Sequence, residues 1–333
     1  MAQKLEINGK KLKPPIFIGG EGRSGTRLLR NIIGNHKNIF EIERETYFFG
    51  KSSIKKNQQF EKLIKNNDID ALTLSILTSM IYKNTIAYKK IMDKDFPEVV
   101  IKEFEELRIL GEYETIKNKF DCFNLCANYL TDKYKKIRWV EKTPSNIYNT
   151  DEIFHCYPEA KLLIIYRDPR AVCLSWLKKD KRKSILGVLL SWKRAVSQMT
   201  KLIEMKKDNI YMVNYADLVL SPENEVKKLC EFINEEFDSS MIDKINVVNS
   251  KFDDTKNKSG FNTESIDRWK KELTFSQKLL IDIITKKERE TLGYIDSDVK
   301  LSLRNLFPFI FYLSKEPIEL VWKKLGKVLS NEV

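Results

Sequence analysis

The sequence contains no apolar run long enough to cross a membrane. Its longest strongly apolar stretch, residues 306–313, contains Pro308 and is far shorter than the ~20 residues that a spanning helix needs. The first ten residues also lack the apolar segment of a secretory leader. Together these absences predict a cytoplasmic protein.

Cysteine and histidine are scarce. Five cysteines, an odd number without paired spacing, argue against a disulfide framework and are expected to be reduced thiols in the core. Cys122 and Cys126 would share one helix face, but no further cysteine or histidine stands near them, so no metal site is expected. His36 and His155 fall at or near predicted helix ends, where a structural role is the more common one.

Basic residues outnumber acidic ones. Lysine and arginine total 59 against 47 aspartates and glutamates, which gives a formal charge of +12 and an isoelectric point near 9.2. This excess suggests an anionic partner such as a nucleotide, a nucleic acid or an acidic lipid, although lysine-rich solvated faces would produce the same surplus. The hydrophobic share of 42% supports a buried core and excludes a disordered chain.

The chain is predicted to form one α/β domain, because internal repeats and low-complexity linkers are absent. Short apolar runs alternate with helical patterns, which predicts a parallel sheet with ligands outside the carboxyl ends of its strands. Residues 50–135 are mostly helical in pattern and predict a helical insertion, and residues 300–333 predict a C-terminal helical extension. Strands are predicted at residues 15–18, 39–42, 137–140, 161–166 and 210–213.

Residues 20–26, with the sequence GEGRSGT, lie between the first predicted strand and a helical pattern. Consecutive backbone N–H groups in such a loop, together with a helix N-terminus, form a nest for an anion, and Arg23 adds a permanent charge. An ATP or GTP loop would have lysine and then serine or threonine after Gly25, whereas this chain has Thr26 and Arg27. The loop therefore favours an anion other than the phosphates of Mg-ATP, although a glycine-rich turn alone is a weak signal.

The strongest motif is YRDPRAVCLS at residues 166–175, where the clearest predicted strand ends. Arg167 stands at the strand end, and Ser175 lies two turns along the following helix, where its hydroxyl can serve the same ligand. Together with residues 20–26, this motif resembles the sulfotransferases that use 3′-phosphoadenosine 5′-phosphosulfate (PAPS). The resemblance implies a P-loop-like fold, in which helices on both sides of a parallel sheet make three layers and a helical insertion interrupts them.

Further landmarks extend the resemblance over roughly residues 15–273. They are similar to the family's Glu-Thr-His-Phe-Phe, Lys-Thr-Pro, Tyr-Glu-Asp-Leu and Arg-Trp-Lys segments, and they lie at residues 45–49, 141–144, 215–218 (followed by 221–223) and 268–270. The first landmark resembles the branch that uses a glutamate base, which includes tyrosylprotein sulfotransferases and many bacterial enzymes. The chain departs from the family at Gly22, where proline is usual, and at Arg27, where threonine is usual.

The resemblance implies a role for each motif. The loop after the first strand would hold the 5′-phosphosulfate, and Arg167 with Ser175 would hold the 3′-phosphate. The implied cofactor-binding residues are Gly22, Arg23, Ser24, Gly25, Thr26, Arg27, Arg167, Ser175, Tyr215, Lys258 and Ser259. No metal is required by this chemistry.

Sulfuryl transfer is an in-line displacement in which charge builds on the leaving oxygen, so cations that face this oxygen lower the barrier. Arg23 and Lys142 suit that role, because each follows or ends a predicted strand. The attacking hydroxyl also needs a general base within hydrogen-bond reach. Glu45 matches the family's base position, and Glu43 is an alternative because the spacing could slip by two residues.

The motifs do not specify the acceptor. The resemblance to bacterial enzymes favours a carbohydrate or glycolipid, with tyrosine, a small alcohol or an amine as alternatives. The helical insertion at residues 50–135 matches no segment of the family, and we expect it on the acceptor side. The pattern from Ile318 onward predicts a basic amphipathic helix. Such a helix can lie on the anionic inner face of a membrane, but it more often packs on its own domain.

Two other classes of function compete with a sulfotransferase. A P-loop kinase or NTPase would bind Mg-ATP, which the displaced Walker residues disfavour. A non-catalytic nucleic-acid-binding protein would use the positive charge, but it would need a basic face with exposed aromatics or a reader motif, and the sequence shows neither.

Overall fold

The structure is a computed structural model that describes residues 3–50, 54–82, 96–180, 182–245, 260–294 and 306–314. It is built around a five-stranded parallel sheet, preceded by a two-stranded antiparallel ribbon. The ribbon consists of β1 (Glu6–Ile7) and β2 (Lys10–Lys11), and the sheet of β3 (Ile16–Gly20), β4 (Ile39–Glu41), β5 (Arg138–Lys142), β6 (Lys161–Tyr166) and β7 (Ile210–Asn214).

The strand order across the sheet is β4-β5-β3-β6-β7. The central strand β3 therefore separates a β4–β5 half from a β6–β7 half, and all neighbouring strands run parallel. The strand order reverses beside β3, because the chain first adds strands on one side of β3 and then on the other. A crevice is therefore expected at the carboxyl end of β3.

Helices cover both faces of the sheet. They are α1 (Thr26–Gly34), α2 (Ile54–Lys65), α3 (Ile69–Ile81), α4 (Glu98–Arg108), α5 (Lys119–Lys133), α6 (Thr150–Cys156), α7 (Pro169–Lys179), α8 (Ile185–Glu204), α9 (Tyr215–Leu220), α10 (Pro222–Ile233), α11 (Ser240–Asp243), α12 (Glu264–Asp267), α13 (Trp269–Glu272) and α14 (Phe275–Thr291). Short 3₁₀ turns lie at Gly111–Thr115 and Pro144–Tyr148, and residues 306–314 are helical.

The sheet is buried on both faces. Successive side chains of a strand point to opposite faces, so each strand contributes residues to the apolar core on either side of the sheet. In β3, Phe17 packs into an aromatic cluster with Trp139 under helices α3 to α6. Its neighbours Ile16 and Ile18 point to the opposite face, where they meet the apolar side of α1 and α10. This three-layer arrangement confirms the predicted P-loop-like α/β fold class.

The strand at residues 161–166 was predicted with its observed bounds, whereas β3 and β5 extend two residues further toward their carboxyl ends and β7 extends one residue further. Glycines follow the apolar run in β3, and Glu141 with Lys142 follow it in β5, so apolarity alone stops short of both ends. These polar residues still belong to the strand because β5 is paired with β3 up to Lys142, which lies opposite Ile18. The predicted site residue Lys142 therefore lies within the sheet itself, at the last position of β5.

The remaining predictions concern the cysteines and the ends of the chain. All five cysteines are free and buried, as expected for thiols in the core. The predicted insertion contains α2 to α5, with residues 83–95 outside the described part of the chain. Most of the predicted C-terminal extension, including the helix from Ile318, also lies outside it, so these domain assignments stay predictions. None of the described helices is both long and apolar enough to span a membrane.

Candidate active site

A cleft of about 490 Å³ lies at the carboxyl ends of the parallel strands. Segments that follow all five strands line it, together with residues 260–268. Parallel strands bring their carboxyl ends to one edge of the sheet, so residues distant in sequence meet there. The expected position of the ligand site is thus where the structure has its cleft.

The loop after β3 has the backbone of an anion nest. Arg23 and Gly25 have positive φ angles of 71° and 104°, and no side chain caps the first turn of α1. A Cβ atom at Gly25 would lie 2.4 Å from the ring of Tyr215, so only glycine allows this close approach. The buried hydroxyl of Ser24 has no hydrogen-bond partner among the described residues. The loop therefore offers unpaired donors to an anion.

The two predicted cofactor motifs meet in the cleft. The Nη1 atom of Arg167 donates a hydrogen bond to the backbone carbonyl of Arg23 (3.1 Å), and the Nε atom of Arg23 donates to Ser175 (3.0 Å). Burial lowers the pKa of Arg23, and the positive charges of Arg167 and Arg27 lower it further. Cations that approach each other in this way indicate a site for a multiply charged anion.

An aromatic ring and backbone carbonyls, which are neutral groups, hold the Arg167 side chain in place. Its guanidinium lies 4.1 Å from the centre of the Tyr215 ring, and its Nη2 atom donates to the carbonyl of Ser265. The hydroxyls of Tyr215 and Ser265 are 2.7 Å apart. The neighbouring carboxylate of Asp168 pairs with Arg170. The Nε atom of Arg167 is buried and has no partner in the described part of the chain.

Glu45 and Lys142 form an ion pair on the other side of β3, in the β4–β5 half. The hydroxyl of Tyr47 also donates to Glu45. Burial raises the pKa of Glu45, but Lys142 and Tyr47 outweigh it and hold that pKa below its ordinary value. Burial lowers the pKa of Lys142, and Glu45 only partly opposes this. The pair thus keeps a charged carboxylate and a charged amine inside a half-buried site.

Glu141 in β5 is a fully buried carboxylate, and its hydrogen bonds hold the segments that carry Glu45 and Lys142. Its Oε1 atom accepts hydrogen bonds from the hydroxyl of Thr46 (2.8 Å), the backbone N–H of Thr46 (3.3 Å) and the hydroxyl of Thr143 (2.6 Å). Its Oε2 atom accepts from the amide of Asn146 (2.6 Å), which also donates to the carbonyl of Ile18. Glu45 and Lys142 are the neighbours of these bonded residues, so Glu141 fixes their relative position.

The structure brings most of the predicted site residues together. The cleft is lined by Gly22, Arg23, Gly25, Thr26, Arg27, Glu45, Lys142, Arg167, Ser175 and Tyr215. Ser24 lies beneath the loop surface, and Lys258 and Ser259 lie outside the described residues. The alternative base Glu43 is not among the lining residues. The buried His36 bonds to the carbonyl of Glu236 and to Asn38, as a structural histidine would.

Other lining residues escaped the sequence analysis. They include Glu21, Tyr47, Ser145, Tyr148, Trp176 and Lys179. Each stands within four residues of a predicted motif, so their proximity to strand ends was the available signal. Their side-chain directions depend on tertiary packing, which sequence spacing does not reveal. No described residue of the predicted insertion lines the cleft, although the carbonyl of Tyr82 at the end of α3 accepts a hydrogen bond from Arg44, next to Glu45.

Comparison with known families identifies the cleft-forming part of the chain. The family model described as "Sulfotransferase family" matches residues 14–239, which include β3 to β7. Protein-tyrosine sulfotransferase 1 of Danio rerio is 25% identical over 231 residues, which cover 66% of this chain and 53% of that protein. The chain therefore spans about half the length of this relative.

Solved structures share the fold at low sequence identity. The sulfotransferase domain of the Synechococcus PCC 7002 olefin synthase superposes with a TM-score of 0.53 at 18% identity, covering 89% of this chain and 99% of that domain. The sulfotransferase domain from the curacin biosynthetic pathway gives a TM-score of 0.52 at 14% identity, with 86% and 100% covered. These similarities concern the architecture alone.

The Glu141 network predicts a stability effect. Glu141→Gln replaces one acceptor oxygen by a donor, so at least one of the bonded hydroxyl or amide groups loses its partner in a buried site. We expect the free energy of unfolding, measured by urea denaturation, to fall by about 1–3 kcal/mol. Glu223→Gln, in an exposed i,i+4 pair with Lys227, is the matched control and should stay within ~0.5 kcal/mol. An equally small change for Glu141→Gln would contradict the network.

The Glu45–Lys142 pair predicts a pH dependence of stability. Because the folded pKa of Glu45 is depressed, its contribution is fully present above the unfolded pKa of about 4.3 and is lost as the pH falls through the folded pKa. The difference in unfolding free energy between wild type and Glu45→Gln should thus be constant from about pH 6 to 8 and shrink below about pH 4.3. A difference that grows on acidification would show that Glu45 is not held ionised.

Proposed function

The chain belongs to the sulfotransferase family, and we propose on this basis that it transfers a sulfuryl group from PAPS to a hydroxyl acceptor. The single observation that carries the proposal is the convergence of Arg23 and Arg167. These residues come from separate motifs, and the structure joins them by a hydrogen bond in one cleft. A ligand with anionic groups at two ends matches this pair of cations.

The residues of the cleft fit such a cofactor. The unpaired hydroxyl of Ser24 and the free amides of α1 suit a phosphosulfate group, and the unpaired Nε of Arg167 with Ser175 suits a 3′-phosphate. A bound PAPS would supply the activated sulfuryl group together with a phosphate leaving group. We infer that the nucleotide occupies the β6–β7 half, where Arg167 follows β6 and Tyr215 follows β7.

The β4–β5 half supplies the groups that the acceptor needs. Glu45 is the proposed general base, which takes the proton of the attacking hydroxyl as that oxygen bonds to sulfur. Arg23 and Lys142 are proposed to stabilise the charge that develops on the departing phosphate oxygen. In the free protein Lys142 holds Glu45, whereas an anion in the loop attracts the same ammonium. Cofactor binding would thereby weaken the ion pair between Lys142 and Glu45, which would raise the pKa of Glu45 and make its carboxylate a stronger base.

Family membership and geometry weigh against the two rival classes. A kinase loop would place a lysine where Thr26 stands, whereas the cations that line this cleft include Arg23 in the loop, Lys142 at the end of β5 and Arg167 after β6. A nucleic-acid-binding protein would present its charge on an open face, whereas these cations line a cleft.

The acceptor is proposed to be a carbohydrate or glycolipid hydroxyl. A tyrosine hydroxyl is the second candidate, since the zebrafish relative is named for that acceptor. An amine acceptor is the third. Contact with the cytoplasmic face of a membrane through the segment after Ile318 stays a hypothesis, because that segment lies outside the described residues.

Removal of the Arg167 side chain tests the nucleotide site. Arg167→Ala should weaken binding of adenosine 3′,5′-bisphosphate (PAP) about 10- to 100-fold, measured by calorimetry without magnesium, because the 3′-phosphate loses a charge-assisted partner. Arg182→Ala is the matched control, since Arg182 is exposed and does not line the cleft. Equal affinities for both variants would exclude Arg167 from the site.

Removal of the Glu45 charge tests the base. Glu45→Gln should reduce turnover of labelled PAPS by about 10²- to 10⁴-fold while PAP affinity is kept or increased, since the amide cannot accept the proton but also no longer competes for Lys142. Glu43→Gln is the control and should turn over like wild type. Unchanged turnover in Glu45→Gln would reject this residue as the base.

A further inference from the structure

A carboxylate stands within the anion-binding loop. Glu21 directly follows the last residue of β3 and lines the cleft. Among the described residues that line it, only Glu21 and Glu45 are acidic. A negative charge beside a phosphosulfate site opposes the binding of that group, so the presence of Glu21 calls for a separate explanation.

Glu21 forms no ion pair with any residue that the structure describes. In this part of the chain, the hydroxyl of Ser191 on α8 is the one side chain seen to donate to it, at 2.9 Å from Oε2. Burial raises the pKa of Glu21, and the Ser191 bond and the more distant Lys183 only partly oppose that. A half-buried carboxylate with spare acceptor capacity is suited to a ligand that donates hydrogen bonds.

Glu21 shares the cleft with the turn that follows β5. Glu21 and Tyr148 both line the cleft, and burial together with the charge of Glu21 raises the pKa of Tyr148 to about 12. Tyr148 and Ser145 belong to the turn after β5, the strand that carries Lys142, and all three line the cleft. The hydroxyl of Ser191 on α8 donates to the Glu21 carboxylate. The lining of the cleft thus holds Glu21 together with the proposed base Glu45.

Trp176 closes the space beside Glu21. A Cβ atom at Gly22 would lie 2.8 Å from the Trp176 ring, so the indole fills the room that the usual proline of the family would need. Trp176 and Tyr148 give the cleft two aromatic walls, which suit the C–H faces of a ring-shaped molecule.

We propose that Glu21 is an acceptor-binding residue that recognises a second hydrogen-bond donor, a hydroxyl or an ammonium, on the molecule that Glu45 deprotonates. The proposal rests on the proposed function and deepens it. The acceptor class is a molecule with at least two such groups on a compact ring, such as a sugar or an amino sugar. A single hydroxyl on an apolar body would leave the half-buried carboxylate of Glu21 without a donor from the ligand.

The first experiment needs no acceptor. Calorimetry compares the affinity of wild type, Glu21→Gln and the exposed control Glu223→Gln for PAP, with the melting temperature as a check on folding. If Glu21 serves the acceptor, its neutralisation should leave PAP affinity unchanged or strengthen it up to ~10-fold, because a repulsive charge is removed. A loss of 10-fold or more in a folded variant would assign Glu21 to the nucleotide site and overturn the proposal.

The second experiment uses labelled PAPS with matched acceptors. Glucose and glucosamine provide a second donor, while cyclohexanol and 4-methylphenol provide one hydroxyl only. Glu21→Gln should lower kcat/KM at least 10-fold, mainly through KM, for the acceptors with a second donor, and change it less than twofold for the others. A larger loss for glucosamine than for glucose would identify the donor as the ammonium.

The outcomes separate the two proposals. Absence of PAP affinity in the wild type rejects the proposed function itself. Binding of PAP with equal losses for both acceptor classes, or with none, rejects the role of Glu21 alone. Ser191→Ala provides a second variant, which keeps the Glu21 carboxylate but removes the hydrogen bond that positions it. It should lower kcat/KM for the acceptors with a second donor, as Glu21→Gln does, but by a smaller factor. If Ser191→Ala and Glu21→Gln differ in sign, the proposal is also rejected.

Discussion

The hydrogen bond from Arg167 to the carbonyl of Arg23 is the interaction on which the rest of the site depends. It joins the carboxyl end of β6 to the anion loop after β3 and brings two guanidinium groups into one half-buried space. Carbonyls, hydroxyls and the Tyr215 ring, rather than carboxylates, hold these groups. The fold thus keeps their positive charge available to a ligand, at the cost of mutual repulsion that a bound anion relieves.

The two halves of the cleft differ in whether their cations are paired with a carboxylate. In the β6–β7 half the described contacts of the Arg167 side chain are with neutral groups, whereas in the β4–β5 half Lys142 is paired with Glu45. Glu141 holds this ion pair in position. Its described hydrogen-bond partners are all neutral donors, so they bring no further cation into this half of the cleft. A cofactor would therefore meet an open anion site on one side and a closed ion pair on the other. The competition for Lys142 couples these two sides.

Sequence reasoning reached the fold, the family and the principal cations, because β6 is a continuous apolar run and the two motifs lie at strand ends. It stopped short at Glu141, since a charged residue inside a parallel strand contradicts the hydrophobic pattern that defines such strands. It also missed Glu21, which was treated as part of a loop rather than as a wall of the cleft. The direction of that side chain is set by Ser191, 170 residues further along the chain, and spacing holds no information on such contacts.

A crystal structure of the protein with PAP tests the central claim most directly. The account predicts the 5′-phosphate in the loop, within hydrogen-bond distance of Ser24 and the amides of α1, and the 3′-phosphate on Arg167 and Ser175. The acceptor half beside Glu45 should remain open. A nucleotide bound elsewhere, or one whose 3′-phosphate touches neither of these two side chains, would contradict the assignment of the cleft.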